Sequence, residues 1–180
     1  MSPTPTGTAS PTPRRNWPSV WAQKAAQTNP QIAVVEIGAW DVFDDTLNGT
    51  KMAFGSPPWD AYFTKQLTKA IKILIKSGAQ VALMGVPCYR PVAAGGLPKL
   101  PERGDDDRTR HITQLLQEAA AADPSRVFMV HPPGAFCNNP SIATDLNYRW
   151  DGTHYYKPGA ALVFRVITPQ LLAIPQPPPQ

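Results

Sequence analysis

The sequence predicts one α/β domain in which a parallel sheet carries helices on its faces. Short apolar runs rich in β-branched residues, typical of buried strands, occur at 31–37, 80–86 and 127–130. Segments with helix signals surround these runs, at 17–27, 59–76, 106–122 and from 158 onward. A chain whose strands alternate with helices folds as a parallel sheet, because each crossover returns the chain to the same end of the sheet.

The helices are predicted from periodicity and from their end signals. The segment 59–76 repeats apolar residues every three or four positions, and Ser77-Gly78 follows its end. Acidic residues open the helix at 106–122, where the helix dipole is positive. Pro158 opens the last helix, and Pro169 is predicted to stop it.

The strands and loops predict where a site would form. The first strand contains the run IAVVEI, is predicted to be buried on both faces, and ends at Gly38. Loops are predicted from there through Pro58, at 87–105 and at 131–150. Ligands of open parallel sheets bind beyond the carboxyl ends of the strands, where these loops begin.

Proline is concentrated at the two ends of the chain. The chain has 180 residues and 22 prolines, well above an average usage of about 5%. Eight of these prolines lie at the ends, namely Pro3, Pro5, Pro11, Pro13, Pro175, Pro177, Pro178 and Pro179. We therefore expect extended, disordered tails at 1–15 and 174–180, and a domain at 16–173.

Composition argues against several classes of protein. The net charge of +4 is scattered, and no basic stripe interleaved with aromatic residues predicts nucleic-acid binding. No run approaches the roughly 18 to 20 apolar residues of a membrane span, and no signal peptide is visible, so the sequence as written predicts a cytoplasmic chain. Three separated histidines without ligand spacing predict no metal site.

Cys88 and Cys137 leave two alternatives open. They are either two reduced thiols or one disulfide, which in the chain-entropy model would stabilise the fold by about 4 kcal/mol. A disulfide would imply an oxidising compartment. Because the two residues follow the second and third predicted strands, which should be neighbours, we expect them to lie close together.

Asp151 and His154 form the candidate catalytic pair. A carboxylate three residues before an imidazole, in a turn just ahead of a helix, can hydrogen-bond the ring. Such a bond fixes the tautomer and stabilises the imidazolium that forms when the other nitrogen takes a proton. The alternative is a surface turn with a local hydrogen bond and no catalytic role.

Three blocks of sequence together resemble the SGNH (GDSL-like) hydrolase superfamily, and in particular the SGNH domains fused to membrane O-acyltransferases. The run DGTH at 151–154 is similar to the C-terminal Asp-x-x-His block, and VVEIGAWD at 34–41 to the block that supplies an oxyanion region. The helix at 59–76 with the following VALMGVP is similar to the next helix–strand unit. The resemblance implies a three-layer α/β/α, flavodoxin-like fold with a parallel sheet.

The resemblance also implies roles for individual residues. His154 would be the general base, and Asp151 would be the carboxylate that orients it. The oxyanion and substrate region would lie at Gly38, Ala39, Trp40 and Asp41. The family's Gly-x-Asn-Asp is Gly-Ala-Trp-Asp here, so Trp40 supplies no amide donor and another group would have to serve.

A larger departure concerns the nucleophile. The family's Gly-Asp-Ser block, on its first strand, is missing, and none of the serines follows a predicted strand at that place: Ser2, Ser10, Ser19, Ser56, Ser77, Ser125 and Ser141. The resemblance therefore implies a domain that lacks its first strands. The strand at 32–37 would become a hydrophobic, unpaired edge.

The sequence thus predicts an SGNH-type ester hydrolase or O-acyl (acetyl) transferase domain that is inactive alone. By resemblance, it would act on a small-molecule ester or a carbohydrate or cell-envelope glycan, without a metal or organic cofactor. It would have a membrane acyltransferase as its parent or partner, and would then be extracytoplasmic. The alternative is a non-catalytic remnant or binding module of the same fold.

Overall fold

The computed structural model describes residues 16–96 and 98–176, and the predicted tails at 1–15 and 177–180 lie outside these ranges. Its helices are α1 (Trp17–Thr28), α2 (Pro57–Lys76), α3 (Asp106–Ala122), α4 (Ala135–Asn138), α5 (Pro140–Ala143) and α6 (Lys157–Leu172). Its strands are β1 (Ile32–Val35), β2 (Asp45–Leu47), β3 (Thr50–Met52), β4 (Gln80–Met84) and β5 (Val127–Val130). A short 3₁₀ helix spans Pro101–Gly104.

The main sheet is parallel and has the order β1-β4-β5. Ile32 pairs with Gln80 at the start of β1, and Val81 pairs with Val127 at the start of β5. The predicted α/β class with a parallel sheet flanked by helices is confirmed, and it is consistent with a flavodoxin-like α/β/α architecture. β2 and β3 form a separate antiparallel hairpin.

Two apolar cores lie on opposite faces of the sheet, because successive strand residues point to opposite sides. Val81 and Leu83 of β4 belong to the core formed with α2 and α3, whereas Ala82 and Met84 belong to the core formed with α6. All five residues of β4 are buried, as expected for a central strand.

β1 is not buried on both faces, and the sequence prediction was wrong here. Among the described residues it pairs only with β4, and Val34 is 43% exposed. β1 is therefore a hydrophobic edge strand, as the missing first strands of the resemblance implied. The apolar run at 31–37 cannot by itself distinguish an edge strand from a central strand, because the burial of a strand depends on whether a second strand pairs with its other edge.

Three other expectations are corrected. The region before α2 is not all loop, because it contains the β2–β3 hairpin, whose turn has Asn48 and Gly49 at positive φ. The loop at 131–150 contains α4 and α5. Pro169 does not stop α6, which runs one turn further to Leu172.

Tertiary hydrogen bonds explain why α6 continues past its proline. The Gln170 side chain accepts from the His131 amide at 2.8 Å and donates to the His131 carbonyl at 3.0 Å. These bonds fix the last turn of α6 to the end of β5. The helix therefore continues although Pro169 has no amide hydrogen to donate. Packing also extends past residue 173, since Ile174 is buried and the Pro175 carbonyl accepts from Gln80 at 3.2 Å.

Candidate active site

The turn that holds Asp151 and His154 is closed by backbone pairing. Arg149 and Tyr155 form an isolated antiparallel bridge, and the Trp150 amide donates to the His154 carbonyl at 3.2 Å. Gly152 takes a positive φ of 76° at the tip of this turn. The pairing brings the two side chains of the candidate pair to the same side of a short, closed loop.

The Asp151 carboxylate binds His154 through both of its oxygens. Oδ2 lies 2.7 Å from Nδ1 of the His154 ring, while Oδ1 accepts from the His154 amide at 2.8 Å. Oδ1 also accepts from the Thr153 amide at 2.9 Å. Because two amides hold the carboxylate, it cannot rotate freely, and the ring position is set before any substrate binds.

The electrostatics suit a proton acceptor at His154. Burial raises the pKa of Asp151, but hydrogen bonds from the His154 amide, the His154 ring and the Thr153 amide outweigh it, and the net pKa lies below its ordinary value. An ionised Asp151 favours the tautomer with the proton on Nδ1, which leaves Nε2 as the base. The His154 side chain is 48% exposed, and Nε2 makes no hydrogen bond to any described residue.

Backbone bonds to the loop after β4 place the pair at the carboxyl end of the sheet. The Arg90 amide donates to the Gly152 carbonyl, and the Val92 amide to the Asp151 carbonyl, both at 3.0 Å. The Trp150 ring stacks on the His154 ring at 5.7 Å between centroids. The sequence predicted this edge of the sheet for ligand binding.

Arg149 is a fully buried cation that anchors the base of the turn. Its two terminal nitrogens donate to the carbonyls of Cys88 at 2.6 Å and Ala143 at 3.0 Å. Its guanidinium lies over the Phe136 ring, 4.4 Å from the centroid. The sequence analysis did not single out Arg149, although its place next to Trp150 and Asp151 is a signal that could have identified it.

Cys88 and Cys137 are joined by a disulfide, with Cα atoms 5.0 Å apart. The bond ties the loop after β4 to α4. Since the Cys88 carbonyl also accepts from Arg149, the disulfide and the turn that holds Asp151 and His154 share one support.

The turn at 38–41 differs from an open oxyanion site. The Gly38 amide donates to Asp41 Oδ2 at 2.8 Å, so that amide is already occupied. The Ala39 carbonyl accepts from Arg103 Nε at 2.6 Å, and Trp40 is 64% exposed. Gly38 has φ 122° and packs against Val86, where a Cβ would lie 2.6 Å from the valine side chain. No hydrogen bond among the described residues joins this turn to His154.

No serine of the described residues hydrogen-bonds His154. The hydroxyls of Ser19, Ser56 and Ser77 donate to backbone carbonyls three residues earlier. The Ser125 hydroxyl donates to Asp123, and Ser141 lies in α5. None of the serines that the structure describes therefore makes the contact with His154 that the resemblance expects of a nucleophile.

Sequence reasoning missed the polar cluster beneath the site. Tyr89 and Tyr155 are mostly buried, and burial first, then the charge of Glu36, raises the pKa of both phenols. Partial desolvation raises the pKa of Glu36, although the residue remains exposed just after β1, and the nearby Tyr155 hydroxyl lowers the pKa by less. Nothing in the sequence marks the tyrosines, since they occupy positions typical of ordinary aromatic residues.

A groove of about 640 Å³ runs beside β1. Its apolar walls come from β1, α1 and α2 and include Val35, Ile37, Trp17, Trp21, Trp59 and Phe63. Asp41, Asp44 and Asp45 contribute carboxylates to the same groove. The groove is thus bordered by the end of β1 and by the helices on one face of the sheet.

Residues 4–138 match the sequence profile of a family of proteins of unknown function, DUF459. The chain belongs to the DUF459 family. The match covers β1, the turn at 38–41 and the disulfide, and it ends before Asp151 and His154. No curated protein matches this DUF459 chain.

The structure adds two findings on membranes and metals for this DUF459 chain. Within residues 16–96 and 98–176, no helix is both long enough and apolar enough to cross a membrane. In that same part of the chain, no three His, Cys, Asp or Glu side chains come together as a metal site would require.

Proposed function

We propose that the chain carries the acid–base pair of an SGNH-type ester hydrolase or O-acyltransferase, in which His154 is the general base and Asp151 orients it. The observation that carries this proposal is the 2.7 Å contact from Asp151 to Nδ1, which leaves Nε2 of a half-exposed ring as proton acceptor. Membership in DUF459, a family that is SGNH-hydrolase-like, supports the reaction class. The resemblance to acyltransferase-fused domains favours an acyl ester of a carbohydrate or cell-envelope glycan as substrate.

The chemistry follows from the two ring nitrogens. Nε2 takes the proton of a serine hydroxyl as its oxygen attacks the ester carbonyl, and Asp151 stabilises the resulting imidazolium. The ring then returns the proton to the leaving alkoxide. Water in a hydrolase, or a sugar hydroxyl in a transferase, attacks the acyl-serine in a second cycle that uses the same base.

The free edge of β1 is our candidate for the place where the nucleophile enters. A strand added along this edge would hydrogen-bond β1 and fill the apolar groove beside it, because its side chains alternate between the two faces of the sheet. The exposed Val34 and the groove wall at Val35 and Ile37 support this placement. Such a strand would end at the carboxyl edge, on the side of the sheet where Gly38 and Asp151 lie.

A non-catalytic binding module of the same fold is the second candidate. Two observations favour it: no described serine contacts His154, and the Gly38 amide is occupied by Asp41. In this alternative the cleft binds an acyl or glycan ligand without turnover.

The deciding experiment measures hydrolysis of a short-chain aryl ester. Residues 1–180 alone should show little or no activity and no labelling by a serine-directed fluorophosphonate. A fusion that places a strand ending in Gly-Asp-Ser ahead of residue 17 should hydrolyse the ester and should be labelled by the fluorophosphonate. The same fusion ending in Gly-Asp-Ala is the matched control and should stay inactive.

Two histidine variants of the active fusion test the role of the pair. His154→Ala should lower activity by about 10³-fold or more, as expected when a base acts on a nucleophile. His131→Ala is the control, since this histidine follows β5 and is exposed. Equal activity of the Gly-Asp-Ser and Gly-Asp-Ala fusions would instead favour the binding module.

The disulfide supports an oxidising compartment for the mature protein. Such bonds persist outside the cytoplasm and are rare within it. We therefore propose an extracytoplasmic location, which fits a domain that acts on cell-envelope glycans with a membrane acyltransferase as parent or partner. Thiol trapping of the natural protein in cells tests it, and free thiols on Cys88 and Cys137 would contradict it.

A further inference from the structure

Two arginines are buried at the carboxyl edge of the sheet, and neither forms an ion pair with a carboxylate of the described residues. Arg103 is 5% exposed and Arg149 is fully buried. None of the ion pairs among residues 16–96 and 98–176 includes either of them. A buried cation without a counter-charge is unfavourable, and the usual remedy is an anion or several acceptors.

Each of the two arginines has one buried nitrogen without a partner among the described residues, Nε in Arg149 and Nη2 in Arg103. Arg149 donates from both terminal nitrogens to backbone carbonyls, at 2.6 and 3.0 Å. Arg103 donates from Nε to Ala39 at 2.6 Å, and its buried Nη2 has no partner among the described residues. Arg103 therefore retains a buried, charged donor that the fold leaves unused.

Arg103 lies between the two halves of the candidate active site. On one side it holds the Ala39 carbonyl of the turn at 38–41. On the other side, Pro91 lies between Gly104, the residue after Arg103, and Gly152 of the turn at 151–154: Pro91 is 3.1 Å from a Cβ built on Gly104 and 3.0 Å from one built on Gly152. Burial lowers the pKa of Arg103, and the negative charge of Asp151 is the largest influence that raises it.

The turn at 38–41 lacks the side-chain amide donor that the resemblance expects, although the Ala39 and Trp40 backbone amides make no hydrogen bond to a described residue. The Gly38 amide is bound to Asp41, and Trp40 stands where the resemblance places an amide side chain. The Trp40 ring instead covers the guanidinium, 4.0 Å from its centroid to the central carbon of Arg103. Trp40 is 64% exposed, so solvent reaches the ring that covers the buried guanidinium.

We propose that Arg103 Nη2 binds the negatively charged oxygen of the acyl ligand beside His154, in place of the missing amide donor. The ligand class is a carboxylate or a tetrahedral oxyanion, which a fixed guanidinium binds by short, charge-assisted hydrogen bonds. This assignment rests on the proposed function, because it takes the surface beside His154 to be the acyl site. The Trp40 ring stacks on the guanidinium and holds it in place.

The experiment is a titration of the chain 1–180 with sodium methylphosphonate, and separately with acetate, followed by NMR. The signals are the Arg103 guanidinium protons and the Trp40 indole N–H. We expect saturable shifts of both. Arg103→Gln should weaken binding about 10-fold to 100-fold, the effect of one charge-assisted hydrogen bond. Arg103→Lys keeps the charge and should weaken binding less.

Arg108→Gln is the matched control. Arg108 also donates to this loop, to the Val42 carbonyl at 2.7 Å, and lies over an aromatic ring, that of Phe54 at 4.8 Å. The Arg108→Gln variant should bind methylphosphonate as tightly as the wild type does. Equal weakening in the two glutamine variants, or no saturable shift at Arg103 in the wild-type chain, would overturn the proposal.

The titration also separates this proposal from the proposed function. The wild-type Arg103 signals report binding directly, so the test survives if Arg103→Gln fails to fold. Saturable binding together with an inactive Gly-Asp-Ser fusion would support the anion site and overturn the esterase. An active fusion without saturable shifts at Arg103 would support the esterase and overturn the anion site.

Discussion

Gly152 lies directly against the backbone of Arg90. A Cβ built on Gly152 would be 1.8 Å from the Arg90 carbonyl oxygen, and the Arg90 amide donates to the Gly152 carbonyl at 3.0 Å. The glycine also has φ 76°, a left-handed conformation that favours glycine. The tip of the catalytic turn can therefore reach the loop after β4 only because residue 152 has no side chain.

Gly152→Ala should damage the fold and displace His154. The backbone must move to relieve the clash, so we expect a loss of about 3 kcal/mol or more in the free energy of unfolding. Gly49→Ala is the matched control, because Gly49 has φ 81° and a Cβ there meets nothing within 4 Å. It should cost only about 1 to 2 kcal/mol. Urea denaturation measures both, and equal losses would show that the contact with Arg90 is unimportant.

Loss of the disulfide should destabilise the domain by about 4 kcal/mol. The reason is that the bond closes a long loop, since Cys88 and Cys137 are separated by 49 positions in the sequence. Denaturation with and without a reductant measures this difference. In the double variant Cys88→Ala/Cys137→Ala the reductant should have no effect. A wild-type transition that does not move on reduction would contradict the prediction.

Glu36→Gln should raise the free energy of unfolding above that of the wild type, and this gain should be larger at neutral pH than at acid pH. Partial desolvation raises the pKa of Glu36 in the fold although the residue keeps an exposed surface, so the unfolded chain binds fewer protons between the two pKa values. Stability of the wild type should then fall as pH rises from about 4.3 through the raised pKa. The free energy of unfolding of the variant should not fall in this way. Its difference from the wild type should therefore be larger at pH 7 than at pH 4. Glu118→Gln, at an exposed site on α3, should show no such trend.

Asp151→Asn should change the tautomer of His154. An asparagine amide no longer favours a proton on Nδ1, and the population with the proton on Nε2 should rise. Nitrogen chemical shifts of the ring measure it. Asp60→Asn is the control, since Asp60 pairs with His111 Nε2 at 2.8 Å and should alter only that ring. An unchanged His154 tautomer would mean that Asp151 does not orient the base.

Local patterns predicted most of the secondary structure. α2, α3 and β5 lie within a few residues of the predicted segments, because apolar periodicity and end signals act over neighbouring residues. The β2–β3 hairpin was missed, since its three-residue strands, DTL and TKM, carry little apolar pattern. Pro169 misled the prediction because its effect is offset by Gln170 and His131, which are 39 residues apart.

The sequence by itself determined the Asp151–His154 contact, since the two residues are three apart in one turn and their bond needs only local geometry. Tertiary structure alone decided that Cys88 meets Cys137 and that Arg103 reaches Ala39, 64 residues away. It also decided that Asp41 occupies the Gly38 amide. Spacing along the chain predicts contacts within a turn, whereas contacts between loops depend on strand order and register, which bring distant segments to one edge of the sheet.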